Sequence, residues 1–219
     1  MTTIKSVKKT CAVCNKTSEH RVTMSTNSFG SSDLDMRPPK MERFTIDTRV
    51  QCCPHCGYCN TNISDKIHGC EDIIKMKDYV KQMNDKNYSP VANAFLCHSI
   101  IQEKLGDFIK AGFASRAAAW VCDDEEAINS AILCRKRALN LFNMAKKNKE
   151  KIFDESGVDE ALLIDLYRRS GEFEPASALC KVVLENEKAG DAIKKIALFQ
   201  EKLICEKDIS SHLIKEAFI

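Results

Sequence analysis

Two Cys-x-x-Cys pairs, Cys11-Ala12-Val13-Cys14 and Cys53-Pro54-His55-Cys56, constrain this chain more than any other feature of it. Two residues between paired cysteines let the backbone curl until both sulfurs face one point. Two such turns supply the four thiolates of a tetrahedral metal site, with metal–sulfur bonds of about 2.3 Å for zinc. Gly57 follows the second pair, where the turn favours positive φ; Asn15 holds the equivalent place after the first and tolerates left-handed backbone. Cys11, Cys14, Cys53 and Cys56 are therefore the expected metal ligands, with structural Zn²⁺ ahead of iron. Cys52 and Cys59 flank the second pair, and Cys56-x-x-Cys59 is itself a valid spacing. The register could therefore slip, though the Pro and Gly placement favours Cys53 and Cys56.

Around these pairs the residues suggest a small β module. Residues 1–10 read as a polar lead-in, Ser18 to Met24 as a strand leaving the first knuckle, and Ser25 to Asp33 as a loop running on to Pro38-Pro39. Phe44, Ile46, Thr48 and Val50 alternate with polar neighbours and predict a second strand delivering the chain to Cys52. Two knuckles joined by antiparallel strands make a zinc ribbon or rubredoxin-like module over residues 1–70. A unit of that size buries too little apolar surface to fold unaided, so the metal is expected to act first as a folding element.

From residue 71 the period becomes helical. Ile73, Met76, Val80 and Met83 predict a first helix of about three turns. Ser89-Pro90 starts the next, with Ser as N-cap and Pro at the first position. Gly106 ends it and Asp107 caps its successor. Asp123 to Glu126 is expected at the N-terminus of a longer helix, where acidic groups suit the dipole. Helices follow over 158–170, 173–186 and 191–205, with a short tail helix after Ser210. Leu105-Gly106-Asp107-Phe108, with Ala111 and Ala118, matches Ser170-Gly171-Glu172-Phe173, with Ala176 and Val183, at a constant offset of 65 residues. This resembles the helical hairpin of tetratricopeptide repeats, each about 34 residues long. The expected fold class is α+β, mostly α: the β module, then a tetratricopeptide-like array over 71–219.

Cys11-x-x-Cys14, the loop Ser28-Phe29-Gly30-Ser31-Ser32-Asp33-Leu34-Asp35-Met36-Arg37-Pro38-Pro39, and Val50-Gln51-Cys52-Cys53-Pro54-His55-Cys56-Gly57-Tyr58 together resemble an uncharacterised bacterial family, domain of unknown function 2225. Its members pair an N-terminal double Cys-x-x-Cys segment with a helical remainder. The first knuckle departs from that family's usual Cys-Pro-x-Cys-Gly in having Ala12 and Asn15. The resemblance implies a bacterial source and metal binding, and no reaction.

Composition narrows the function classes. Net charge is +2, and residues 1–70 hold ten Lys/Arg against six Asp/Glu. Four thiolates and one Zn²⁺ would halve that local excess, which argues against nucleic-acid binding through Lys5, Lys8, Lys9 and Arg21. No apolar run approaches the roughly 20 residues of a membrane span. The twelve cysteines, at ligand spacing in a chain that starts without an apolar leader, point to a reducing cytoplasm. Asp33, Asp35 and Arg37 form a candidate recognition loop, with local pairing among loop groups as its simpler explanation. His68 and Cys70 offer a partial second site, while Trp120 and His98 read as helix-packing residues.

The leading functional expectation is a non-enzymatic adaptor, with zinc in the ribbon and a helical groove for a protein or peptide. A rubredoxin-like iron protein transferring electrons is the alternative.

Overall fold

In the computed structural model, which describes residues 1–219, the chain begins in a strand rather than a lead-in. Strand β1 (Thr3–Thr10) pairs antiparallel with β2 (Thr17–Ser25), and the first knuckle is the turn between them. The second knuckle is likewise the turn of its own hairpin, β3 (Gln51–Cys52) with β4 (Cys59–Asn60). Each pair of cysteines is thus held by a hairpin of its own.

The strand expected over Phe44–Val50 does not form; Arg43–Thr48 is a 3₁₀ helix. Its threonines explain why. Thr45 Oγ1 donates to the Glu42 carbonyl at 2.8 Å and Thr48 Oγ1 to the Thr45 carbonyl at 2.7 Å, so local hydroxyl bonds hold the backbone in turns. Phe44, the first of the alternating residues, is exposed.

The first predicted helix is two short ones, α1 (Cys70–Ile73) and α2 (Lys77–Met83), broken at Met76, whose backbone is extended. Met76 and Val80 face solvent, and Tyr79 is buried instead. The Tyr79 hydroxyl donates to the Gly57 carbonyl at 2.7 Å, and that tertiary bond decides which face of α2 turns inward.

Six longer helices follow: α3 (Pro90–Lys104), α4 (Phe108–Asp124), α5 (Ile128–Lys147), α6 (Val158–Arg169), α7 (Phe173–Glu185) and α8 (Asp191–Cys205). Ser89 caps α3 by accepting from the Ala92 N–H, and Asp107 caps α4 by accepting from the Lys110 N–H. The two matched sequence blocks have matching turns. Gly106 and Gly171 both take positive φ, with Asp107 N–H donating to Gln102 and Glu172 N–H to Tyr167, each at 2.9 Å. Ala111, Ala118, Ala176 and Val183 are all fully buried.

Asp123 and Asp124 do not open a helix. They are the last two residues of α4, at the end where the dipole disfavours negative charge. Arginines from elsewhere offset this, as described below. A 3₁₀ turn, Ile214–Phe218, closes the chain and packs on α8.

Residue 70 marks a change of secondary structure rather than a gap between cores. The largest apolar core takes Cys11, Cys53, Tyr58 and Ile63 from one side of it and Phe95, Trp120 and Cys134 from the other. Helices α4 and α5 pack tightly at Gly112, where a Cβ would lie 2.5 Å from Cε1 of the buried Phe142 ring. Gly→Ala inside a helix ordinarily stabilises by about 1 kcal/mol. At Gly112 the sign is expected to reverse: overpacking against Phe142 costs about 1–3 kcal/mol, so Gly112→Ala should lower the midpoint of urea unfolding.

Candidate metal centre

The Sγ atoms of Cys11, Cys14, Cys53 and Cys56 all lie within 4.8 Å of one another, and no other group of three or more His, Cys, Asp or Glu side chains converges in this way. The cross-knuckle separations are 3.7 Å for Cys11 to Cys56 and 3.6 Å for Cys14 to Cys53. A tetrahedron with metal–sulfur bonds of about 2.3 Å has edges of about 3.8 Å, so the cage has the size of a four-thiolate metal site. The register is Cys53 with Cys56. Cys52 Sγ points away toward the Gly57 carbonyl and Met83 Sδ, and Cys59 lies in the apolar core. Cys70 is buried beside Glu71.

The two knuckles are built alike. Cys11 N–H donates to the Lys16 carbonyl at 3.0 Å and Asn15 N–H to Cys11 at 2.9 Å; Cys53 N–H donates to Tyr58 at 2.8 Å and Gly57 N–H to Cys53 at 2.9 Å. Asn15 and Gly57 fill the left-handed position of each turn, with φ of 58° and 76°. Backbone N–H groups face the sulfurs: Lys16 against Cys14, His55 and Cys56 against Cys53, and Tyr58 against Cys56. The Lys16 N–H draws the Cys14 thiol below the ordinary cysteine range, whereas burial pushes Cys53 and Cys56 above it. A divalent cation overrides that burial by binding the deprotonated form.

The second knuckle is wired to its surroundings. Tyr58 hydroxyl donates to the Asp65 carbonyl at 2.7 Å and accepts from the Ile67 N–H, and the Ala12 N–H reaches the Ile63 carbonyl at 2.8 Å. Positions of the four sulfurs are therefore set by segments from residue 11 to residue 79.

Asp33, Asp35 and Arg37, the candidate recognition loop, are 2%, 0% and 5% exposed, which leaves them no surface to offer. They lock the loop onto the helices. Asp35 Oδ2 accepts from Trp120 Nε1 at 2.7 Å and Arg169 Nη1 at 3.1 Å, and its backbone carbonyl accepts from Arg116 Nη1 at 3.0 Å. Among their side-chain bonds only the one from the Arg37 N–H to Asp35 Oδ1 stays within the loop, where it joins the backbone bonds from Asp33 N–H to Arg37 and from Met36 N–H to Asp33. The Arg37 guanidinium pairs with Asp124 instead of a loop carboxylate, and Asp33 pairs with Arg43 and Ser211. Arg169 and Arg135 both reach Asp123. The acidic C-terminus of α4 is thereby neutralised by arginines from the loop, α5 and α6.

Burial alone would raise the Asp35 pKa, but Arg169, Arg135, Arg116 and the Trp120 indole hold it below the usual carboxylate range. Sequence reading missed Arg116, Arg135 and Arg169. The available signal was arginine recurring on helix faces otherwise made of Ala, Cys and Leu.

The tail completes the clamp. Leu34 N–H donates to the His212 carbonyl at 2.9 Å, and Ile214 N–H to the Ser32 carbonyl at 2.8 Å. Buried Arg168 holds the Asp208 and Ser210 carbonyls, at 2.6 and 3.0 Å. No helix is long and apolar enough to cross a membrane. Comparison with family models, with curated proteins and with solved structures finds no match.

Removing the Asp35 charge strands buried guanidinium groups, which typically costs about 3–5 kcal/mol. Asp35→Asn should therefore shift urea unfolding by that amount and change Trp120 fluorescence in the folded state. The tail carries its own pH dependence. Burial works against a charged His212, but bonds to Glu216 and Asp208, both 2.8 Å, raise its pKa overall. Its contribution is thus complete below the unfolded value of about 6.5 and is lost as pH rises through the higher folded value. Amide exchange over residues 211–218, corrected for intrinsic rates, should accelerate across that interval and not in His212→Gln.

Proposed function

We propose that this chain is a non-enzymatic scaffold, organised by one structural zinc ion, whose helical array binds a protein or peptide. The observation that carries the reading is the cage of Cys11, Cys14, Cys53 and Cys56, whose sulfurs all lie within 4.8 Å. Four thiolates complete a tetrahedral shell and leave no position for water or substrate, as a catalytic zinc requires. The resemblance of residues 9–60 to domain of unknown function 2225 points the same way.

For the array, the support is apolar side chains left on its outer faces: Ile128 and Leu133 on α5, Val182 on α7, and Leu198 on α8. Loop 32–37 and the tail already cover one face of α4, α6 and α8, so a partner meets the array elsewhere.

Elemental analysis of untagged protein should find one zinc per chain with no visible absorption, and cobalt exchange should give tetrahedral thiolate bands. A red protein containing iron would replace the zinc reading with an electron-transfer one. Since Cys53 shares a core with Phe95 and Trp120, Cys53→Ser should lose metal, helical circular dichroism and Trp120 fluorescence together on mild heating. For the adaptor role, cross-linking in the native host should recover a protein attached through α5 or α7. Recovery of the chain alone at every expression level would remove that part of the proposal.

A further inference from the structure

A mostly apolar cavity of about 250 Å³ opens where the segment leaving the second knuckle meets α3 and α4. That is about the volume of eight water molecules. Phe95, Ala114 and Ala117 form its buried walls, with Phe113 beside them. Arg49 and Lys110, whose side chains are 35% and 68% exposed, stand at its mouth.

One polar group inside is unused. His98 lines the cavity and is 7% exposed. Its Nδ1 lies 3.4 Å from the Cys59 carbonyl. A carbonyl oxygen only accepts, so Nδ1 carries the proton and Nε2 presents a lone pair. No group of the protein hydrogen-bonds to Nε2. Burial keeps the ring neutral, and the Lys110 ammonium acts in the same direction.

The mouth has the opposite character. Arg49 donates to Glu42 at 2.7 Å and Lys110 to Asp107 at 2.7 Å, and neither carboxylate lines the cavity. Each cation keeps donors free, since a guanidinium has five and an ammonium three. The cavity therefore asks for a donor at its buried end, an apolar body between, and an acceptor with negative charge outside.

We propose that this cavity binds a small aromatic carboxylate bearing a hydroxyl or N–H at the end remote from the carboxylate. The ring lies between Phe95 and Phe113, where two aromatic walls and two alanines leave room for a flat body. The carboxylate takes the free donors of Arg49 and Lys110, and the remote hydroxyl or N–H donates to His98 Nε2. Thr61 supplies the remaining polar wall. Thr61 follows closely on Cys56, and Cys59 holds His98, so the segment leaving the second knuckle sets one side of the cavity.

The test is calorimetric titration of the 219-residue chain, purified with its metal retained, with para-hydroxybenzoate as probe. Saturable binding of one molecule per chain is expected, with benzoate about tenfold weaker because it leaves His98 unpaired. Ala114→Met, which fills the cavity, should abolish the heat. Arg49→Gln should weaken binding about tenfold. If Ala114→Met fails to fold, Arg49→Gln decides, because its only side-chain partner is the half-exposed Glu42. Absence of saturable binding at millimolar probe overturns the proposal. So does equal affinity for benzoate, or an affinity that Arg49→Gln leaves unchanged.

Discussion

The two hairpins of the N-terminal module depend on four sulfurs, separated along the chain by as many as 45 residues, meeting at one point. Without a cation, the cage is a set of close-packed thiols that offers the fold little. With one, it becomes a cross-link between two hairpins that are each too small to persist alone. The second knuckle passes this rigidity on. Its Gly57 carbonyl orients Tyr79 and with it α2, while Tyr58 holds the backbone at Asp65 and Ile67. Cys11 and Cys53 are themselves part of the core that continues into α3, α4 and α5.

A second constraint ties the far end of the module to the array. Asp35 is a buried anion answered by Trp120, Arg169 and the charges of Arg116 and Arg135. Arg135 and Arg169 also serve Asp123, so one network compensates both a buried carboxylate and an acidic helix C-terminus. Buried ion pairs seldom add net stability over apolar packing, but they penalise every arrangement in which a member is unpaired. Here that penalty fixes where loop 32–37 lies, and the tail then adds Ser211 and the paired backbone at Leu34 and Ile214.

The four converging cysteines were legible because a knuckle is local: Cys-x-x-Cys followed by Asn15 or Gly57 defines a turn without reference to anything distant. Helices α3, α4 and α6 to α8 were legible for the same reason, through Ser89-Pro90, Asp107, Gly106 and Gly171. The failures fall where short segments answer to distant groups. Thr45 and Thr48 turned an alternating stretch into a 3₁₀ helix, Tyr79 rotated α2, and the acidic run at Asp123 sits at the wrong end of a helix because arginines elsewhere make that tolerable.

By itself, then, the sequence determined the four cysteines that converge, the left-handed turns that aim them, and an α-rich remainder punctuated by glycine, since each follows from the backbone preferences of a few adjacent residues. Tertiary structure alone decided that Asp33, Asp35 and Arg37 are buried fasteners, that the core runs unbroken past residue 70, and that His98 faces a cavity. Those outcomes turn on which charged groups lose their water together, and burial is a property of the assembled chain.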